Sequence, residues 1–374
     1  MSRKMLTRLF AIGVALALVA AACGDDDDVV TGLGACDSVD QVKVQLQWVA
    51  QAQFAGYFVA DDLGFYNNEC LDVQILEGAV EIVPQQVLAT GGAEFGLAWV
   101  PKALVSNEGG AGIVNIAQVF ERSGTLEVSF KETGITSVAD FAGKKIGNWG
   151  FGNEFELTAA MEQAGVRDQV EDVAQSFDML ALLTGEIDAA EAMIYNEYAQ
   201  VLEAENPATG ELYQPSDLNV IDFNDVGTAM LQDAVWVTND WIARSGNQDI
   251  AQRFLEATFR GWIHCLDNFD ECVNTVLAAG STLGQSHQEW QLNEILGLVF
   301  PATNGIGVMN QPLWDQTVQV ATTQIDDLKG VSIPSDSFRT DIAQAAVDAL
   351  AAEGLDVDGS GYSRRTIELR PGGE

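Results

Sequence analysis

The sequence predicts an α/β fold of two lobes facing each other across a hinged cleft, and three observations predict it. Residues 42–75 read strand, helix, strand over so short a stretch that they form a βαβ unit, and so a parallel sheet. The alternation of strand and helix runs on to residue 119 and restarts near residue 137. After a last strand at residues 234–238 only helical patterns remain. That tail has no strands of its own to cover, so it packs most economically back onto the first lobe.

In chain order, Val42, Val44 and Leu46 alternate with polar residues, and Trp48 ends the run. A polar and aromatic turn follows, with Gln51, Gln53, Phe54, Gly56 and Tyr57. A helix carries Phe58, Val59 and Leu63 and stops at Gly64, and a second strand covers 71–75. In parallel sheets ligands bind off the carboxyl ends of the strands. Trp48, Gln51, Gln53, Phe54 and Tyr57 sit at that end, although Trp48 and Phe54 fit a core equally well. Next come a helix over 82–89 closed by Gly91 and Gly92, and a buried-type strand at 94–99. A helix opened by Val100 and Pro101 follows, proline being allowed in a first turn, and then a strand at 113–119.

The second lobe repeats the scheme. A helical turn at 137–141 precedes a strand at 145–149 and the loop Gly150, Phe151, Gly152, Asn153. Asn153 is a good N-cap for a helix over 154–164, and Glu156 three residues on comes close to a capping box. A strand at 171–175 carries Phe177 and Asp178 at its carboxyl end, and a helix spans 179–183. A strand at 187–192 runs into Tyr195, Asn196 and Glu197, and a last strand lies at 219–223. Tail helices are predicted over 248–266, 271–279, 288–298, 312–328 and 337–352. Lobe one therefore takes residues 41–125 with 235–370 and lobe two 126–234, joined by crossings near 120–130 and 230–238.

Composition narrows the function. With 374 residues, 47 % of them hydrophobic, two lobes with real cores are expected and global disorder is not. Lys plus Arg number 18 against 55 Asp plus Glu, a net charge of -37. Binding phosphate backbones needs a basic face, so nucleic acid is excluded as a partner. Such a charge favours a soluble monomer at some cost in self-repulsion, and suits a salty habitat that screens it.

Arg3, Lys4 and Arg8 precede an apolar run at 9–22, long enough for a signal core and too short for a comfortable membrane span. Ala20, Ala21 and Ala22 before Cys23, and four aspartates soon after it, resemble a bacterial lipobox. Ala20 stands where that pattern prefers Leu. Residues 1–22 are then a lipoprotein leader, Cys23 the lipidated first residue, and 23–40 an acidic tether. The chain would sit outside the cytoplasm, anchored to the cell membrane; an ordinary cleaved signal is the alternative. Export makes disulfides plausible for the other four cysteines. Cys36 and Cys70 each precede one of the first two strands, whose N-terminal ends lie close if the strands are neighbours. Cys265 and Cys272 can pair only across a helix break, which Asn268 and Asp270 suggest. No CxxC occurs, and with His264 and His287 the only histidines a zinc site has little support.

The pieces LQWVAQAQFAGYFVADDLGFYNNECLDVQI, AEFGLAW, FAGKKIGNWGFGNEFEL, FDMLALLTGEIDAAEAMIYNEYAQVL and FRTDIAQAAVDALAAEG, in this order and spacing, resemble one family. It comprises the solute-binding proteins of bacterial ABC importers related to thiamine-pyrimidine and riboflavin receptors, with sulfonate and nitrate receptors as kin. Within it the chain looks most like riboflavin-binding members, and the resemblance covers about residues 42–370. It implies a two-lobe periplasmic-binding-protein fold of type II. It also implies a receptor, with neither cofactor nor catalysis, that closes on a small heterocycle and delivers it to a permease and its ATPase.

The family's cleft elements fall here on Trp48, Gln53, Phe54 and Tyr57; Trp99; Trp149, Phe151, Asn153 and Glu154; Asp178; and Tyr195, Asn196 and Glu197. Aromatic faces would sandwich a flat ring while amides and carboxylates bond its edge. Asn153 also fits a plain helix cap, and Trp99 and Trp149 fit core or cleft alike. Sulfonate or nitrate would want an Arg or Lys in the cleft. The candidate loops carry none, Lys102 and Arg122 being the cations that most closely follow a strand end. A helix N-terminus at Asn153 keeps phosphate-bearing pyrimidines open. A fungal pyrimidine-forming enzyme of the same architecture uses a His in the first-strand turn and a cysteine-rich returning segment. Here those stretches read AQAQFAGY and GTAMLQDAVW, with neither, so binding is expected rather than catalysis.

Overall fold

The computed structural model describes residues 36–280 and 282–372. The leader at 1–22, Cys23 and residues 23–35 of the tether lie outside the described residues. In the first sheet β1 (Asp40–Gln45) runs parallel to β2 (Leu71–Leu76) and to β3 (Phe95–Ala98), with β4 (Ile113–Gln118) at the far edge. The second sheet holds β5 (Thr125–Phe130), β6 (Lys145–Asn148), β7 (Glu171–Ala174), β8 (Ala189–Met193) and β9 (Leu218–Asp222). The chain then returns, and β10 (Ala234–Thr238) inserts antiparallel between β3 and β4. The two orders are β2-β1-β3-β10-β4 and β7-β6-β8-β5-β9, so each sheet takes one antiparallel strand from a crossing.

β5 was not anticipated as a strand, because residues 120–130 read as a linker. Leu126 and Val128 alternate correctly, but the residue between them is Glu127, which looks like a solvent position and is buried. Near the other predicted elements the bounds shift by a few residues. Ser337 and Phe338 do not begin a helix: Phe338 bridges to Asn115 beside β4, and the last helix starts at Asp341.

The lobe core forms around a close helix crossing. α1 (Ala55–Asp62) lies against a long tail helix (Asn247–Asp267), where a Cβ on Gly261 would stand 2.1 Å from the Gly56 carbonyl oxygen. A Cβ on Gly56 would in turn meet the Trp262 ring at 2.4 Å, so both positions need glycine. Phe54, Tyr57, Phe95, Phe254 and Trp262 fill the space around this contact. Cys36–Cys70 and Cys265–Cys272 are both bonded, with Cα separations of 5.8 and 5.7 Å. The helix break between Cys265 and Cys272 falls at Asn268.

The helical tail touches both lobes rather than the first alone. The helix Gln285–Val299 accepts Ala52 N–H on the Gln288 side chain at 2.8 Å and donates Trp290 Nε1–H to the Ile194 carbonyl at 2.9 Å. The helix Gln311–Gln324 rests against the second-lobe helix Phe155–Ala164. The helix Gln285–Val299 carries buried polar residues, His287 and Gln288, that bond to Asn196 and to Ala52. Among the described residues no helix is long and apolar enough to cross a membrane.

Candidate functional site

The carboxyl ends of β1 and β3 in one lobe and of β6, β7 and β8 in the other face a common cavity of about 480 Å³. That is within the usual range for a small-molecule site, about 300–1,000 Å³. Ten of the thirteen sequence-predicted residues line it: Trp48, Gln53, Trp99, Trp149, Phe151, Asn153, Glu154, Tyr195, Asn196 and Glu197. The other three do not. Phe54 is fully buried and Tyr57 stands edge-on to Trp262, centroids 6.3 Å apart, because the turn winds straight into α1 and turns them into the core. Asp178 bonds back to its own turn, accepting Leu180 N–H at 2.9 Å.

An aromatic wall runs across the two lobes. Phe177 sits 4.8 Å from Trp48 and 6.2 Å from Trp149, nearly parallel to the latter at 9°. Phe177 had been noticed only as the residue ending a strand. Phe151 stands at the mouth, 74 % exposed, between two left-handed glycines and itself left-handed at φ 58. A bulky residue holds such a backbone only where its surroundings impose it.

Asp233 organises the polar side, and sequence reading missed it. One aspartate before an apolar run looks like a solvated strand start, but it lies in the crossing, 3 % exposed. It accepts hydrogen bonds from Gln53 Nε2 at 2.9 Å, Trp99 Nε1 at 2.8 Å and Gln47 Nε2. Gln51 Nε2 donates to Gln53 Oε1 at 2.7 Å. Four cavity side chains are thus oriented through one carboxylate. Burial pushes Asp233 up to about 6, held from rising further by those three donors.

Across the cavity Glu197 accepts Met193 N–H and Asn196 Nδ2–H, both at 2.9 Å, and burial pushes it up to about 7. His287 from the tail contacts Asn196 Oδ1 through Nε2 at 2.8 Å and Glu203 through Nδ1 at 3.0 Å. It braces the polar edge from behind. Behind Trp149, Glu127 and Glu191 stand opposite each other on β5 and β8, and burial raises both well above the usual carboxylate range. Glu191 accepts the Trp149 backbone N–H at 3.0 Å.

One expectation about the loop at 150–154 and one about the charge of the cavity are corrected. Asn153 is not the helix cap: Glu154 holds that place without a side-chain bond, and Asn153 donates to the Gly150 carbonyl at 2.9 Å. Nor does the cavity lack a cation. Lys102 lines it, with Nζ 3.2 Å from Asn153 Oδ1 and 5.5 Å from the centre of the Trp99 ring. The helix Val100–Glu108 starts directly after β3, which aims its third residue into the cleft. Among the described residues no cluster of three or more His, Cys, Asp or Glu could hold a metal.

Comparison with known proteins agrees with this architecture. The chain is 25 % identical over 291 residues to the formylaminopyrimidine-binding protein of Halalkalibacterium halodurans, covering 75 % of this chain and 84 % of that one. It is 23 % identical to the riboflavin-binding protein RibY of Chloroflexus aurantiacus, covering 84 % and 91 %. The periplasmic aliphatic sulphonate binding protein SsuA of Escherichia coli superposes with a TM-score of 0.58 at 15 % identity, over 90 % of this chain and 98 % of that one, and so shares the two-lobe binding-protein fold. The family model described as NMT1/THI5 like matches residues 51–272, more than half of the chain, and this chain belongs to that family.

Proposed function

We propose that this chain is the extracytoplasmic substrate-binding protein of an ABC importer, capturing a flat heteroaromatic nutrient between its lobes and passing it to the permease and its ATPase. Riboflavin and pyrimidine precursors of thiamine are the candidate ligands, as the names of two relatives suggest. The observation that carries the reading is the cavity itself. Its wall of Trp48, Phe177 and Trp149 draws one face from each lobe, and its polar edge is built of amides and carboxylates. Aromatic faces hold a ring, and amides and carboxylates bond its edge atoms. A lipid on Cys23 would tether a monomer to the cell membrane.

Catalysis is not part of the proposal. The turn after β1 places glutamines where the pyrimidine-forming enzyme resembled above has its histidine, and the returning segment has no cysteine. A sulfonate or nitrate ligand is the weaker alternative, because Glu154 lines the cavity and already acts on its cation. The test is a tryptophan-fluorescence titration with riboflavin, hydroxymethylpyrimidine and taurine, paired with thermal melts. A bound ligand should quench the emission and raise the melting temperature. If riboflavin and the pyrimidine leave both readouts unchanged, the ligand class is wrong; a response to taurine alone selects the anion alternative.

A further inference from the structure

The one cation among the described residues that line the cavity is Lys102, and it is placed with care. Its stem packs against Gly152, where a Cβ would come within 3.1 Å of Lys102 Cγ. Its ammonium lies beside the Trp99 ring and takes Asn153 Oδ1 from the opposite lobe as its hydrogen-bond partner. Asn153 is itself fixed, because its Nδ2 donates to the Gly150 carbonyl, which aims Oδ1 at Lys102. An ammonium has three donors, and among the described residues one is used. Two N–H groups of a half-buried cation therefore remain beside the cavity.

The surrounding charge says what they can take. Glu154, Asp233 and Glu191 all act on Lys102 through space, and Glu154 and Glu197 line the same cavity. Asp233 is committed to Gln47, Gln53 and Trp99. Glu154 and Asp233 already match the positive charge, so an anion would find no unpaired cation there. A neutral oxygen acceptor adds no net charge, and it supplies the missing acceptor for the spare N–H groups.

We propose that Lys102 is the specificity residue of the cavity, donating to a carbonyl oxygen on an uncharged heteroaromatic ligand, and that ligands lacking that oxygen are discriminated against. The inference rests on the heterocycle-binding reading above and sharpens it to a ring that carries an oxo or formyl group.

The test compares two neutral pyrimidines, formylaminopyrimidine with its formyl oxygen and hydroxymethylpyrimidine without a carbonyl, with riboflavin as a second carbonyl probe. A hydrogen bond to a charged donor corresponds to roughly tenfold to a hundredfold in affinity. The wild-type chain should favour formylaminopyrimidine over hydroxymethylpyrimidine by about that factor. In Lys102→Met the preference should collapse, through weaker binding of formylaminopyrimidine and riboflavin, while hydroxymethylpyrimidine changes by about twofold or less. Lys102→Gln, which keeps a shorter donor, serves if the Met variant does not fold, and should retain part of the preference. An equal loss for all probes, or no loss for any, overturns the role of Lys102 and leaves the heterocycle reading standing. A wild-type chain that binds none of the probes overturns both.

Discussion

Trp48 and Phe54 stand six residues apart in one turn, and their environments assign them opposite work. Trp48 is half-buried at the cavity, touching Phe177, while Phe54 has no exposed surface and lies in the lobe core. Truncating a fully buried phenylalanine typically costs about 3–5 kcal/mol, the transfer and cavity contributions together. Trp48→Ala is therefore expected to lower affinity for the bound probe about tenfold or more while the melting temperature moves by a few degrees. Phe54→Ala should lower the melting temperature sharply. Parallel melts and titrations of the two variants decide it; a Trp48→Ala chain as unstable as Phe54→Ala would return Trp48 to the core. The same contrast shows how much of the site was legible. Trp, Gln and Tyr at strand ends pointed to the cleft, but no pattern in one turn says which aromatic the chain will roll inward.

At the scale of elements the crossings matter most. Glu156, on the helix Phe155–Ala164, accepts Ser123 Oγ–H at 2.7 Å and Met230 N–H at 2.8 Å, one group from each crossing. Gln232 adds a second tie, accepting Gly124 N–H at 2.8 Å and donating to Thr125 Oγ1 at 2.6 Å. Burial pushes Glu156 up to about 8, and Glu197 and Asp233 to about 7 and 6. All three lie above their unfolded values of 4.5, 4.5 and 3.8, so the folded state holds their protons more tightly than the unfolded chain does. Their stabilisation is complete below the unfolded values and is lost as pH climbs through about 6 to 8. The melting temperature should accordingly fall from pH 5 to pH 8 at constant ionic strength. Glu156→Gln keeps an acceptor for Met230 without a titrating proton, and should flatten the upper part of that fall; an unchanged slope would remove Glu156 from the account. Sequence reading placed Glu156 in a capping box, because the spacing from Asn153 is right for one. The two partners it found instead are more than thirty residues away on either side, and no local rule sees them.

Over the whole molecule, charge sets the balance. A net charge of -37 opposes folding by self-repulsion. The Debye length shrinks from about 10 Å at 0.1 M to about 3 Å at 1 M salt. Stability should therefore rise with added sodium chloride, read as a higher urea midpoint at 1 M than at 0.1 M; a flat or falling midpoint would sink the self-repulsion argument.

What the sequence by itself determined is whatever depends on near neighbours in the chain. Alternating Val42, Val44 and Leu46, the glycine stops and the repeated strand–helix units specify two α/β sheets, and the net charge makes nucleic acid a poor partner. Strand ends then mark where a ligand site can form. Tertiary structure decided the rest, because it depends on groups that meet only after the chain has crossed between lobes twice. Glu127 is buried because β5 lies inside the second sheet, between β8 and β9. Asp233 orients Gln47, Gln53 and Trp99 because the crossing carries it under β1 and β3. Lys102 reaches Asn153 because the two lobes face each other. Burial and partner choice at these positions are properties of the assembled lobes, and periodicity in a single segment holds no record of them.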